Sequence, residues 1–179
     1  MLRAARLSAQ ALAVALVAAL LALLIWRVAF DNDKGVSQAL RDGENPTAPA
    51  FDLERLDGGG RLDLAKLRGK KPIVIDFWAS WCDPCVYESK RLEAARRQYG
   101  ERIAFVGVNT RDLSADARRW LREHGITYPS VHDGSGDVLT AWGGLPLPKI
   151  FFVERSGKVA GELVVEEDLP RYLRQIAAS

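Results

Sequence analysis

Cys82 and Cys85 are the only two cysteines in the 179-residue chain, and they share one C-x-x-C motif, Trp81-Cys82-Asp83-Pro84-Cys85. The motif follows the apolar run Ile73-Val74-Ile75-Asp76-Phe77-Trp78. Two thiols three residues apart, carried from the end of a strand into the start of a helix, can pass between disulfide and dithiol without refolding. Such exchange needs a thiolate in line with an S–S bond. Cys82, at the helix start, meets unpaired amides and the positive end of the helix dipole, which stabilise a thiolate. It is therefore expected to be the exposed nucleophile, with Cys85 one turn later as the resolving thiol. Pro84 fixes φ in the first turn, where its missing N–H costs little.

Trp81, Asp83 and Pro84, which flank and separate the sulfurs, are expected to tune the redox poise. Asp83 puts a carboxylate near both sulfurs, which disfavours the thiolate and hence the dithiol. A dithiol so destabilised gives up electrons readily, so Asp83 leans toward a reductant. Two further acids are candidates for proton transfer. Asp76 interrupts an apolar strand, where a buried charge is expensive and its pKa should rise, fitting a base for Cys85; the other reading is an acid at the pleat facing water. Glu88 stands three residues after Cys85, about one helical turn on, a position where ordinary dipole complementation also favours an acid. Leu147-Pro148 precedes the strand Ile150–Val153, where a cis proline would lay its backbone beside the disulfide. Pro146 and Pro148 equally read as loop stiffeners.

These residues need elements to position them. Phe51–Leu53 and Arg61–Leu64 alternate around Asp57-Gly58-Gly59-Gly60, a hairpin signal. Ile73–Trp78 reads as a buried central strand. A helix is expected from Asp83 to about Tyr99, and a strand over Ile103–Asn109. The next helix runs from an N-cap at Ser114 to about His124, with Gly125 as its stop. Residues 134–142 offer a short helix, and Lys149–Val153 and Lys158–Val165 two strands joined by Glu154-Arg155-Ser156-Gly157. A last helix starts near Glu167, with Pro170 in its first turn. The order, a hairpin then β-α-β-α then β-β-α, predicts an α/β fold: a mixed sheet with helices on both faces.

Length allows one domain and an appendage. Leu7–Trp26 is uncharged and interrupted only by Ser8 and Gln10, with Arg3 and Arg6 before it. Such a run is long enough to cross a bilayer, and the positive-inside rule places the residues after it outside the cytoplasm. Its bulky end, Leu24-Ile25-Trp26-Arg27, favours an uncleaved anchor over a signal peptide with a small-x-small site. The expected organisation is an anchor over 1–30, a flexible linker over 31–46 and a domain over 47–179. The net charge of +2 comes from the three arginines of residues 1–30; the rest carries 22 basic and 23 acidic residues. That leaves no basic footprint for nucleic acid. His124 and His132 are spaced more widely than a typical metal pair, so neither metal nor cofactor is expected.

Taken in order, these motifs resemble the thioredoxin superfamily, specifically the membrane-anchored TlpA/ResA-type thiol–disulfide oxidoreductases. The carrying residues are Phe77-Trp78-Ala79-Ser80-Trp81-Cys82, Pro84-Cys85, Glu88, Pro148 before Ile150-Phe151-Phe152-Val153, Gly157-Lys158-Val159, and Thr47-Ala48-Pro49-Ala50-Phe51 opening the extra hairpin. The resemblance spans about residues 47–177. It implies a thioredoxin-like fold, Pro148 as a cis proline, Cys82 and Cys85 as nucleophile and resolver, and Glu88 as the active-site acid. It also implies a task outside the cytoplasm: reducing disulfides in apocytochrome c or other exported proteins, with electrons from a membrane thiol donor. Two departures stand out. Asp76 occupies the buried-aspartate position of thioredoxin, where TlpA-type proteins often carry Asn, and Gly107 replaces the lysine that accompanies that aspartate. Gly143-Gly144-Leu145-Pro146-Leu147 also differs from the ending common in cytochrome-maturation reductases. An oxidase or isomerase of the same fold, and a non-catalytic module with a structural bridge or a metal-binding thiol pair, are the alternatives. A bridge closing so short a loop removes little chain entropy.

Overall fold

The computed structural model describes residues 14–23 and 35–179. Two compact units result, Met1–Asp33 and Lys34–Ser179. In the first, residues 14–23 are helical, with Val14, Leu16, Val17, Leu20, Leu21 and Leu23 exposed. The rest of the expected anchor and the start of the linker lie outside the described residues. Among the described residues no helix is long and apolar enough to cross a membrane.

The second unit is built on a five-stranded sheet in the order β5-β4-β3-β6-β7. Its strands are β3 (Ile73–Trp78), β4 (Ala104–Thr110), β5 (Ser130–Asp133), β6 (Lys149–Val153) and β7 (Val159–Glu162). β3 pairs parallel with β4, and β4 with β5, while β6 runs antiparallel to both β3 and β7. All six residues of β3 are buried, which is why it reads as a near-continuous apolar run: a strand covered on both faces has no polar side. A separate hairpin, β1 (Asp52–Glu54) with β2 (Arg61–Asp63), leads into the sheet. Leu56 N–H donates to Ser130 C=O at 2.8 Å and moors the hairpin end on β5.

The period-two alternation of the strands separates two cores. On one face Val74, Trp78, Ile150 and Phe152 pack with Leu92 of α3 (Asp83–Tyr99), Ala117 and Trp120 of α4 (Ser114–His124), and Leu173 and Ile176 of α6 (Leu169–Ala177). On the other, Ile73, Ile75, Phe77, Val108 and Phe151 pack with Val36 of α1 (Val36–Arg41), Leu64 of α2 (Leu64–Leu67), and Leu139 and Trp142 of α5 (Asp137–Trp142). The expected mixed sheet with helices on both faces and an added hairpin is observed. α3 spans the expected residues, and Gly125 stops α4 at φ 65° with its N–H on the Arg122 and Leu121 carbonyls, the left-handed C-cap glycine supports at no steric cost.

Several expectations are corrected. Residues 36–41, placed in a flexible linker, form α1, because Ser37 is fully buried and its Oγ donates to Trp142 C=O at 3.1 Å. β2 ends at Asp63, whose carboxylate accepts from Ala65 N–H at 2.9 Å and caps α2. β5 was not expected: Ser130-Val131-His132-Asp133 holds a single aliphatic residue and shows no strand period. After the hairpin and the short α2 the domain order is therefore β-α-β-α-β-α-β-β-α. Ser114 is the first residue of α4 and not its cap; the Asp112 carboxylate accepts from Leu113 N–H at 2.8 Å instead. β7 is shorter than Lys158–Val165, leaving Val164 85% and Val165 51% exposed.

Candidate active site

The strand-to-helix turn after β3 carries the cysteines as a disulfide between Cys82 and Cys85, with Cα atoms 5.4 Å apart. Cys82 is the N-cap of α3, and Pro84 lies in its first turn, so the helix begins at the sulfur pair. Cys82 is covered, not exposed as its nucleophilic part would require: it is 5% accessible in the disulfide, and Cys85 is wholly buried. Trp81 stands out from the turn, half exposed, with Nε1 donating to Arg111 C=O at 3.0 Å. Asp83, the first residue of α3, is exposed.

A network not anticipated from sequence holds this turn. Asp112 accepts from Ser80 N–H at 2.6 Å, Ser80 Oγ at 2.8 Å and Asn109 Nδ2 at 2.8 Å. Burial raises its pKa, but the hydrogen bonds from Asn109 and Ser80 outweigh that and hold the carboxyl below its ordinary value. Asn109 in turn faces His132 Nδ1 at 3.0 Å. His124 Nδ1 lies 2.9 Å from Trp120 C=O, one turn back in α4, and takes no part in this network. The only sequence hint of Asp112 was an acid just ahead of a helix start, an ordinary capping signal.

Asp76 is buried, not turned to water, with 1% of its surface accessible. Its Oδ2 accepts from Ser89 Oγ at 2.9 Å and Tyr128 OH at 2.6 Å, while Oδ1 is buried without a partner. Burial pushes its pKa up to about 6 against the lowering pull of the Tyr128 and Ser89 hydrogen bonds, with the Glu88 charge adding to the rise. On β4 its direct neighbour is Gly107, the position the resemblance assigns to a missing lysine. Glu88 is also buried, its Oε1 facing Arg91 Nη1 at 3.4 Å and its Oε2 unpartnered. Burial raises the Glu88 pKa, and Arg91 opposes that only in part.

Leu147-Pro148 is a cis peptide, and so is Leu145-Pro146. Pro148, Ile150, Pro84, Tyr87, Glu88 and Val164 wall a cleft of about 470 Å³. The cleft brings together one acid, one proline and the helix start that the sequence singled out; Asp76 lies beneath them in the core. A second hollow of about 650 Å³, between Leu56 and Arg118, has no cysteine in its walls.

This arrangement, a C-x-x-C disulfide at a helix start with two buried acids nearby, each with one carboxylate oxygen left without a partner, suits thiol–disulfide exchange. Comparison with known proteins agrees. Residues 45–161 match the model of the AhpC/TSA family. A thiol-disulfide oxidoreductase ResA of Geobacillus thermodenitrificans is 31% identical over 134 residues, 73% of this chain and 76% of the relative. A thiol:disulfide interchange protein DsbE of Yersinia pestis is 35% identical over 138 residues, 68% of this chain and 72% of the relative. Among solved structures, a putative DsbE from Chlorobium tepidum superposes with a TM-score of 0.68 at 25% identity, covering 74% of this chain and 96% of the other. Sequence, fold and site converge, and the chain belongs to the AhpC/TSA family as a thiol–disulfide oxidoreductase of the ResA/DsbE type.

Proposed function

We propose that this enzyme is a membrane-tethered reductase of disulfides in exported proteins, with apocytochrome c the client that the family resemblance implies. The observation that carries the reading is the cleft at the start of α3, where Pro84, Pro148 and Glu88 meet and the exposed apolar Tyr87 and Val164 form the rim. An extended peptide fits such a wall, its backbone along Pro148 and its disulfide over Cys82. The uncharged run Leu7–Trp26 behind Arg3 and Arg6 supports the tether and its orientation.

In this reading the Cys82 thiolate attacks the client disulfide, forming a mixed disulfide and releasing one client thiolate. Cys85 loses its proton to a neighbouring acid and attacks Cys82 Sγ. The Cys82–Cys85 bond forms and the second client thiolate leaves, so two electrons pass from the dithiol to the client. A thiol donor in the membrane restores the dithiol. Asp76 and Glu88 are the proton-handling groups, Pro148 lines the peptide site, and Asp83 supports the reducing direction.

A Cys85→Ser variant is the test, since it stops the cycle at the mixed disulfide. Clients should then accumulate on Cys82 and be released by added thiol. If nothing is trapped, and the unaltered enzyme fails to turn over a model disulfide, the reading is lost. The reduction potential tests direction: a value near that of thioredoxin, about −270 mV, supports a reductant, and one near about −120 mV makes it an oxidant.

A further inference from the structure

Cys85, Ser89 and Glu93 follow one another at four-residue spacing, so they share one face of α3. All three are buried against the sheet. Ser89 donates to Asp76 Oδ2, which holds the carboxyl against α3 at the residue four after Cys85, about one helical turn on. Glu93 accepts from Thr127 N–H at 2.8 Å and Thr127 Oγ1 at 2.9 Å, and so clamps the segment preceding β5 onto α3. That clamp holds the next residue, Tyr128, whose OH donates to the same Asp76 Oδ2 at 2.6 Å. Gly107 leaves the space: a Cβ there would collide with Ser130 Oγ, lie 2.9 Å from Trp78 Nε1 and press on the Tyr128 ring at 3.1 Å. Both hydrogen bonds fall on Oδ2, and Oδ1 is left without a partner.

We propose that Tyr128, with Ser89, is a positioning residue of the exchange reaction, holding Oδ2 of Asp76 so that Oδ1 is the oxygen that takes the Cys85 proton. The proposal rests on the reading of Asp76 as the base for the resolving thiol. In that step the Cys85 S–H proton passes to Oδ1 and the Cys85 sulfur forms its bond to Cys82. The Cys82–client bond breaks, the client sulfur leaves with the electron pair and takes a proton from solvent, and Asp76 later returns its own proton to solvent.

The surroundings make the device one of hydrogen bonds rather than of ion pairing. The neighbours of Asp76 across the sheet, Gly107 on β4 and Ile150 on β6, carry no charge. The charge acting on it from α3 is the like charge of Glu88, and the Glu93 carboxylate acts on Tyr128. Burial holds the Tyr128 phenol protonated far into the alkaline range, so it is a donor wherever the enzyme works. Two donors on a buried carboxylate stabilise its charged form, the form that accepts a proton.

The test uses the reduced full-length chain and an aromatic disulfide whose two halves absorb on release. The first release reports attack by Cys82 and the second reports resolution by Cys85, each followed between about pH 5 and about pH 9. The second release should rise through an inflection near pH 6 in the unsubstituted chain. Tyr128→Phe keeps the ring and removes the donor, so the inflection should move about one pH unit alkaline. The step then becomes about fivefold slower at the original inflection and nearly unchanged above about pH 8. Ser89→Ala should move it in the same direction, and neither variant should alter the first release. Asp76→Asn should abolish the inflection, and adding Tyr128→Phe to it should change nothing more. An inflection that survives Asp76→Asn overturns the role of Asp76 and that of Tyr128 with it. An inflection lost in Asp76→Asn but unmoved by Tyr128→Phe and Ser89→Ala overturns the role of Tyr128 alone. A general loss of packing lowers the melting temperature but leaves the inflection in place.

Discussion

A carboxylate at 1% accessibility is the residue whose chemistry departs furthest from its behaviour in water. The folded pKa of Asp76 is raised to about 6 from 3.8, so folding favours its protonated form. The contribution to stability is therefore fully present below about pH 3.8 and is lost as pH rises through about 6. Asp76→Asn has no such titration. The stability advantage of the variant over the unsubstituted, oxidised protein should thus grow by about 3 kcal/mol between acid and neutral pH. Denaturant midpoints across that range measure it, and a difference that stays flat would mean the buried acid keeps its ordinary pKa. Cys82 and Cys85 were legible at this scale because their spacing is itself the signal. Tyr128 was not, because it sits 52 residues from Asp76 and nothing in its neighbourhood in the chain marks it.

Among the elements, the turn before α3 depends on the β4–α4 loop. Asp112 accepts from the backbone and side chain of Ser80, from Asn109 and from Leu113 N–H, so it joins the end of β3 to the start of α4. Asp112→Ala leaves those donors unmatched and should cost about 2 kcal/mol of stability, with faster hydrogen exchange at Ser80 N–H; an unchanged exchange rate there would show that the turn holds without it. Lys149, at the start of β6, is buried and paired with Glu162 of β7 at 2.7 Å and with Ser37 of α1 at 3.2 Å. Breaking that pair with Glu162→Ala strands a buried ammonium and should cost about 3 kcal/mol in denaturant unfolding. A loss below about 0.5 kcal/mol would indicate that water reaches Lys149 and screens it. Helix α3 was readable to its ends because a proline in the first turn and a long run of helix formers act locally. β5 was not, because its strand character comes from the parallel register with β4 and not from its own four residues.

For the whole molecule, the question is where the exchange domain works. If Leu7–Trp26 crosses the bilayer, the full chain should sediment with membranes and resist alkaline carbonate. A reporter fused after residue 34 should then be active only outside the cytoplasm. Recovery of the full chain in the carbonate supernatant would remove the tether from the proposal.

What the amino-acid order determined by itself was the chemistry and its local frame: two thiols in one helical turn, a proline in that turn, an acid one turn on, and a central strand with no polar side. Each of these depends on residues within a few positions of one another, where periodicity and helix capping act. The tertiary structure decided the rest. It buried Cys82 almost as deeply as Cys85 and turned Asp76 away from water. It brought Ser89 and Tyr128 to one oxygen of that acid and tied Ser80 to Asp112. Such contacts join distant parts of the chain, and only the pairing of β3 with β4 and the packing of α3 on the sheet bring them within hydrogen-bonding reach.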